Sequence, residues 1–192
     1  MDLGTMVPYP NNLNTMFTEF PAIPRIAFSK DFVASRGSHQ PVYQYLLPDD
    51  TETRVGTTGL YVDLGSGIPT TGVSKVGLAP GFEYFMVPGL WDVVFDVFPG
   101  APAICDMGTV VFKGNFTVNG SGKTGIFFRE VLDTPGGGDG PLGMIASSDT
   151  EIPDGPPTKG FGPLRFGSTA PPTVVGNEVL FVGLDNEDFP RY

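Results

Sequence analysis

Glycine or proline interrupts nearly every stretch of a dozen residues in this chain, and that spacing is the strongest constraint on its fold. The 192 residues include 27 Gly and 20 Pro, and both residue types disfavour the interior of an α-helix. The runs between them are rich in β-branched and aromatic residues, and the chain contains 16 Phe and 6 Tyr. Aromatic residues in this number supply the core that a disordered chain lacks. The sequence therefore predicts an all-β fold of short strands and frequent turns.

The clearest local signal is a β-hairpin in the middle of the chain. Two β-rich runs, 110–117 and 124–132, flank the segment Asn119–Gly122. Gly and Asn adopt the positive φ that tight hairpin turns need, so the two runs are expected to pair. Residues 29–53 are polar apart from one predicted strand. The further predicted strands are Leu3–Val7, Arg25–Phe28, Pro41–Leu47, Gly59–Leu64, Gly81–Val87, Asp92–Phe98, Leu142–Ser147, Pro172–Val175 and Glu178–Val182.

Parts of the sequence around this hairpin recur at a fixed spacing. Pro102 and Pro171 are 69 residues apart, and the segments after them match without a gap through Gly114 and Gly183. Earlier in the chain, the segment at Gly59 matches the segment 66 residues later. Segments 20–28 and 5–8 resemble later segments more weakly. The recurrence predicts a single repeat-built β domain, in which 1–16 end one unit, 17–94 and 95–163 form two units, and 164–192 begin another.

Each unit contains four predicted strands joined by turns, which is typical of an antiparallel meander. Repeated four-stranded meanders are typical of β-propeller blades, and propellers close with roughly four to eight of them. Two whole units and two partial ones therefore predict a β-propeller-like arrangement that is incomplete or open. The unpaired edge of a partial unit offers a route to self-association.

The charge balance disfavours two classes of partner. The formal net charge is −10 at pH 7, whereas nucleic acid and anionic lipid both favour clustered Lys and Arg. No apolar run approaches the ~20 residues of a membrane-spanning helix, and the first residues show neither the basic nor the apolar region of a signal peptide. The single Cys, Cys105, is expected to be a small buried hydrophobe. A nucleophilic Cys would need a His partner, and the only His, His39, is predicted to lie in a Ser-rich loop far along the chain.

An acidic segment near the C-terminus is the candidate metal site. Asp185, Asn186, Glu187 and Asp188 follow a predicted strand, and carboxylate and amide oxygens are ligands that Ca²⁺ prefers. The spacing matches no EF-hand loop, and a run of acidic residues is also typical of a solvated surface loop. The sequence leaves both interpretations open, and calcium is the one cofactor that it suggests.

Aromatic residues around Trp91 form the candidate ligand-stacking site. The rings of Trp91 and Tyr84 are suited to stacking on a sugar, but aromatic residues in β proteins more often belong to the core. A glycosidase would also need two carboxylates facing each other across a cleft. The available carboxylates are Asp63, Glu83, Asp92 and Asp96, and the sequence does not place any two of them opposite each other.

Four segments resemble the tandem repeats of a group of secreted bacterial proteins: Val110–Thr117, Lys123–Glu130, Phe166–Pro172 and Phe181–Asp188. Those repeats have an Asn-x-x-Gly-x-x-x-Ala-Phe pattern, and the proteins often carry a C-terminal sorting anchor. The resemblance covers most of residues 95–192 and, more weakly, 17–87. It implies a propeller-like, extracellular or cell-surface protein, and it implies no catalytic residue.

These observations together predict a non-catalytic binding or structural β-repeat module, with calcium as a stabilising ion and a glycan or a protein as ligand. Two other function classes stay open. One is a propeller-type carbohydrate-active enzyme or lectin that uses paired carboxylates and aromatic stacking. The other is a self-assembling surface element.

Overall fold

The computed structural model describes residues 1–8, 16–39, 44–46, 52–54, 59–75, 85–131, 140–155 and 162–186. The described chain is almost entirely β, and every strand pair in it is antiparallel. The prediction of an all-β fold with antiparallel sheets is confirmed. Within the described ranges the sheets form an open arrangement rather than a closed barrel or propeller.

The first sheet has five strands and lies in the N-terminal half of the chain. Across the sheet the strand order is β1-β3-β6-β7, and β2 pairs with the same strand, β3, as β1 does. A separate hairpin, β4 with β5, connects β3 to β6 along the sequence. The bounds are β1 Phe17–Glu19, β2 Arg25–Ile26, β3 Phe32–His39, β4 Gln44–Leu46, β5 Glu52–Arg54, β6 Gly59–Leu64 and β7 Thr70–Ser74.

The second sheet also has five strands, and its connectivity is that of the first. Its strand order is β8-β10-β11-β12, and β9 pairs with β10. In both sheets, two short strands therefore lie along one edge of a long strand, and two further strands follow on its other edge. The bounds are β8 Phe95–Val97, β9 Ala103–Ile104, β10 Thr109–Val118, β11 Ser121–Glu130 and β12 Leu142–Ser147.

Two strand pairs come after the second sheet: β13 pairs with β16, and β14 pairs with β15. Here too, two successive short strands, β13 and β14, pair with the chain segment after them, and residues 181–182 divide that segment into β15 and β16. No described strand lies on the outer edge of β15 or β16. The bounds are β13 Phe166–Thr169, β14 Thr173–Val175, β15 Glu178–Leu180 and β16 Gly183–Asp185.

The predicted central hairpin is confirmed and is longer than the sequence indicated. β10 and β11 pair from Thr109↔Glu130 to Val118↔Ser121 without a register shift. The two turn residues, Asn119 and Gly120, have φ of 49° and 76°. Positive φ at both positions gives the twist that a two-residue hairpin requires, which explains Asn-Gly at this point.

Several other strand predictions need correction. The strand expected at Leu3–Val7 is only a single bridge, Met6↔Met16, and the strand expected at Arg25–Phe28 ends at Ile26. Residues 32–39, expected to be polar loop, form the interior strand β3, in which Ser35, Ser38 and His39 are buried. Gly59–Leu64 and Leu142–Ser147 have the predicted bounds. Residues 81–84 and most of 41–47 lie outside the described residues.

The two five-stranded sheets pack against each other through two separate apolar clusters. One cluster joins Leu60 and Val73 of the first sheet to a group of buried aromatic residues of the second sheet. A second cluster joins Ala34 and Val62 of the first sheet to Val110 and Val131. The aromatic members of the first cluster are Phe85, Phe95, Phe98, Phe112, Phe116 and Phe127. Burial of these rings is the main source of stability at this interface.

Glycines in the long strands leave room for aromatic rings. Gly37 of β3 pairs with Gly59, and Gly114 of β10 pairs with Gly125. A Cβ on Gly37 would lie 2.8 Å from the Phe17 ring and 2.9 Å from the Tyr61 ring. A Cβ on Gly114 would lie 2.6 Å from the Phe95 ring and 3.1 Å from the Phe127 ring. In both sheets, then, an aromatic ring from the edge strand and one from the strand on the other side cover a glycine of the long strand.

A short segment that forms a single β-bridge precedes each group of strands. Three isolated bridges, Met6↔Met16, Met86↔Val94 and Glu151↔Arg165, lie immediately before β1, β8 and β13. In each case an aliphatic residue and a proline follow the first residue of the bridge, as in Met86-Val87-Pro88. Val7 and Val87 from these segments are buried, so the segments close the edges of the core.

Candidate functional site

The predicted acidic site is only partly described by the structure. Asp185 ends β16, and Asn186 follows it. The Asn186 side-chain oxygen accepts a hydrogen bond from the Arg165 backbone N–H at 3.2 Å, so this amide fixes the start of β13. Glu187 and Asp188 lie outside the described residues. The residues that the structure describes contain no group of three or more His, Cys, Asp or Glu placed to hold a metal ion.

Of the predicted stacking residues, Trp91 is described and Tyr84 is not. Trp91 lies in the turn between Val87 and Val93, which are joined by a backbone hydrogen bond of 2.7 Å. Its side chain is 88% exposed, so the core interpretation is wrong for this residue. The neighbouring Phe85 is buried and belongs to the aromatic core. Trp91 is therefore available to a ligand, whereas Phe85 is not.

The carboxylates considered for a glycosidase make local structural contacts. Asp63 Oδ1 accepts hydrogen bonds from the backbone N–H groups of Gly65 and Gly67, both at 3.0 Å. Asp96 Oδ2 accepts a hydrogen bond from the Thr117 hydroxyl at 2.8 Å. Asp92 has φ of 58° in the turn that carries Trp91, and Glu83 lies outside the described residues. These contacts explain Asp63 and Asp96 without any catalytic role.

A largely apolar cavity of about 290 Å³ lies between the second sheet and the β14–β15 hairpin. Cys105, Val111, Phe128 and Ile145 line it on the side of the second sheet. Val174 and Val179 line it on the hairpin side. A cavity of this size is comparable to the lower end of the ligand pockets in proteins, roughly 300 Å³. The sequence-based prediction placed no site here.

The same position between the first two sheets is filled. When the sheets are aligned on the glycine pairs Gly37–Gly59 and Gly114–Gly125, Val111 corresponds to Ala34 and Phe128 corresponds to Val62. The gapless sequence match likewise makes Val179 the counterpart of Val110. Ala34, Val62 and Val110 belong with Val131 to one buried cluster, whereas their three counterparts line the cavity. The cavity is thus the place where the counterpart of Val131 would lie.

Polar contacts hold the last strand pairs against the second sheet beside this cavity. The hydroxyl oxygens of Thr124 and Thr169 are 2.6 Å apart, and the Thr169 backbone N–H donates to Thr124 Oγ1 at 3.2 Å. Gly100 has φ of 79°, and a Cβ there would collide with the ring of Pro171. The rings of Phe166 and Phe181 lie 5.7 Å apart. The Thr169 and Pro171 contacts hold β13 and the segment before β14 against the second sheet, whereas the Phe166–Phe181 contact lies within the last strand pairs.

Arg129 connects the first two sheets through hydrogen bonds from its side chain. Its Nε donates to the Gly140 carbonyl at 2.9 Å, and its Nη1 donates to the carbonyls of Thr71 and Gly72 at 3.1 and 2.9 Å. The guanidinium carbon lies 5.3 Å from the centroid of the Phe85 ring. One side chain therefore ties β11 to β7 of the other sheet.

Burial also affects two lysines on these sheets. Desolvation lowers the pKa of Lys113, which lies on β10, below its ordinary value. Desolvation likewise lowers the pKa of Lys75, although the neighbouring Asp96 carboxylate opposes that shift. Lys75 Nζ donates to the Asp96 carbonyl at 2.5 Å. Because this hydrogen bond to the backbone of β8 accounts for Lys75, the lowered pKa does not by itself mark a reactive amine.

The cavity was missed because its walls come from residues far apart in the sequence. The sequence did contain one signal of this site. The match between Phe112–Gly114 and Phe181–Gly183 is part of a longer gapless match that places Val179 on a strand. In the described part of the chain, no other strand pairs with the outer edge of that strand. Cys105 is buried, as predicted. His39 is a buried strand residue rather than part of a loop.

A scan against protein-family models, a search of curated proteins and a search of solved structures each found no match to this chain. None of the described residues forms a helix with the length and apolarity that a membrane crossing requires.

Proposed function

We propose that this protein is a non-catalytic binding or structural module built from repeated β units. The observation that carries the proposal is the shared connectivity of the two five-stranded sheets. Each sheet begins with two short strands that pair with the strand after them, and this arrangement recurs in β13 to β16. A cavity lies between these last strands and the second sheet. Stacked units of this kind bury their faces against their neighbours.

Matching irregularities in the strand pairing support the repeat. The β6–β7 pair shifts register between Leu60 and Tyr61, and the β11–β12 pair shifts register between Ile126 and Phe127. The glycine alignment makes these the same two positions. Bulges at equal positions, together with the glycine–aromatic contacts, are expected if one structural unit occurs more than once.

The experiment that tests the proposal measures turnover and self-association on the same purified protein. A panel of polysaccharides and acyl and phosphate esters is incubated with the protein, and product release is followed. The proposal expects no turnover above a buffer control, and reproducible turnover that scales with protein concentration would overturn it.

Static light scattering over a concentration series, with and without a calcium chelator, tests self-association and the role proposed for calcium at Asp185–Asp188. A mass that falls on chelation would favour calcium-dependent assembly.

A second candidate function is glycan binding at Trp91, because an indole with 88% exposure has its ring face available for stacking. A glycan array read with the protein and with its Trp91→Ala variant tests this alternative. Binding that disappears in the variant would favour a lectin. The extracellular or cell-surface location is proposed from the sequence resemblance alone.

A further inference from the structure

The outer edge of β15 and of the start of β16, together with the cavity beside it, has the form of a strand-acceptor site. We infer that this site binds an extended peptide segment with the pattern of β11: Gly, then an aromatic residue two positions later, then an aliphatic residue four positions after that. The inference rests on the proposed function. It specifies the class of ligand as a β-strand rather than a sugar or a metal ion.

The last strands differ from the long strands of the two sheets in how their edges are paired. In each five-stranded sheet the long strand is paired on both sides, β3 by β1 and β6, and β10 by β8 and β11. In the described part of the chain, β15 pairs only with β14, and Gly183 and Leu184 of β16 pair only with β13. Backbone N–H and C=O groups along a strand edge are a template for adding another strand.

At Gly183 of this edge, the three atoms nearest to an added Cβ all belong to one aromatic ring. Gly183 is close to the Phe166 ring, and a Cβ on Gly183 would collide with it. The glycines at the corresponding places in the sheets, Gly37 and Gly114, each contact a second ring as well, which comes from the strand on their other side. Those second rings belong to Tyr61 and Phe127. An added strand would therefore place its aromatic residue beside Gly183 and Phe166.

The cavity sets the length of the segment. Its walls include Val111, Phe128 and Val179, whose counterparts between the first two sheets belong with Val131 to one buried cluster. Val131 follows Phe127 by four residues, so a strand with its aromatic residue beside Gly183 would reach the cavity with its aliphatic residue. One segment therefore satisfies both the edge and the cavity.

The test uses the full chain and a synthetic peptide with the sequence of residues 121–131. The peptide carries a fluorescent label at its N-terminus, and the protein is titrated into it while anisotropy is measured. Two matched control peptides carry Phe127→Asp or Gly125→Val. We expect saturable binding of the parent peptide and at least a tenfold weaker affinity for each control. One control loses the aromatic ring, and the other adds a Cβ that in β11 would lie 2.8 Å from the Phe127 ring.

Cys105 locates the bound peptide, since it is the only Cys in the chain and it lines the cavity. Its alkylation by iodoacetamide is followed by mass spectrometry with and without peptide. The inference expects alkylation to slow at least threefold when the parent peptide saturates the protein. The control peptides, at the same concentration, should leave the rate unchanged.

Three results would overturn the inference: no saturable binding, equal affinity for the parent peptide and the Phe127→Asp control, or peptide binding without protection of Cys105. The last result would indicate exchange with β11 in the second sheet instead. Occupation of the cavity by a small apolar dye without any peptide binding would also overturn it. None of these results bears on turnover or on the glycine–aromatic contacts of the sheets, so the proposed function could stand while the inference fails.

Discussion

Replacement of Arg129 is the sharpest test of how the first two sheets are held together. Arg129→Met keeps most of the side-chain length and apolar area but removes the three donated hydrogen bonds to Gly140, Thr71 and Gly72. A hydrogen bond to a charged group contributes about 1.5–3 kcal/mol, and acceptors left without a donor add a desolvation penalty. Because the side chain is only half-buried, water compensates for part of the loss. We expect the free energy of unfolding to fall by about 3 kcal/mol.

The assay is urea unfolding followed by near-UV circular dichroism, with thermal unfolding in parallel. For a chain of this size, a loss of about 3 kcal/mol corresponds to a melting temperature lower by roughly 6–12 °C. Arg165→Met is the matched control, since its guanidinium lies 3.8 Å from Glu151 and its side chain is 45% exposed. An exposed pair of this kind contributes at most about 1 kcal/mol.

The reasoning about Arg129 would be refuted if the two variants lost the same stability. Arg129→Lys adds a second check. A lysine has no fork of donors that can reach carbonyls on two elements at once. It should therefore recover less than half of the loss, although it keeps the positive charge. Full recovery by lysine would show that charge, and not the shared hydrogen bonds, connects β11 to β7.

Three further predictions concern separate parts of the molecule. Gly114→Val should lower the free energy of unfolding by about 2–3 kcal/mol, because its Cβ would lie 2.6 Å from the Phe95 ring. Gly122→Val in the neighbouring strand has no heavy atom within 4 Å of its Cβ and should change stability by less than about 0.5 kcal/mol; equal losses in urea unfolding would contradict the packing argument. Trp91→Ala should change the free energy of unfolding by less than about 0.5 kcal/mol, and a larger loss would indicate that the Trp91 side chain packs in the core. Hydrogen bonds from Ser29 lower the pKa of Asp106 below its ordinary value, so Asp106 stabilises the fold above its unfolded-state pKa and loses the effect as pH falls through its folded-state pKa. The difference in urea midpoint between the protein and its Asp106→Asn variant should therefore shrink between pH 5 and pH 2, and a difference that grows on acidification would contradict this assignment.

The sequence predicted those parts of the fold in which local chemistry and burial agree. The β10–β11 hairpin could be predicted because Asn119 and Gly120 suit the positive φ of its turn and aromatic residues lie on both sides. Strand β3 could not be predicted, because Ser35, Ser38 and His39 are polar side chains in buried positions. Their burial is set by the strands on both sides of β3, and such tertiary context does not appear in a local pattern.

The features of the candidate site also depend on tertiary context that the local sequence does not contain. Exposure of Trp91 could not be inferred from its neighbours, since Phe85, six residues earlier, is buried. The acidic segment has an amide, Asn186, that caps a strand pair through Arg165, and composition alone cannot separate a cap from a ligand. The cavity depends on which residues face each other across two sheets, and only the pairing register determines that.

The interruption at residues 181–182 connects the fold to the strand-acceptor site. In β10, ten residues run without a break, and β11 pairs with every one of them. The matching residues after Glu178 form two short strands, and Phe181 and Val182 lie between them; the Val182 carbonyl still accepts a hydrogen bond from the Ala170 N–H at 2.7 Å. A strand paired on one edge twists and bends more freely than one held on both edges. The gapless sequence match between Val110–Gly114 and Val179–Gly183 therefore indicates that continuity of this strand depends on a partner along its outer edge rather than on the side chains of the strand itself.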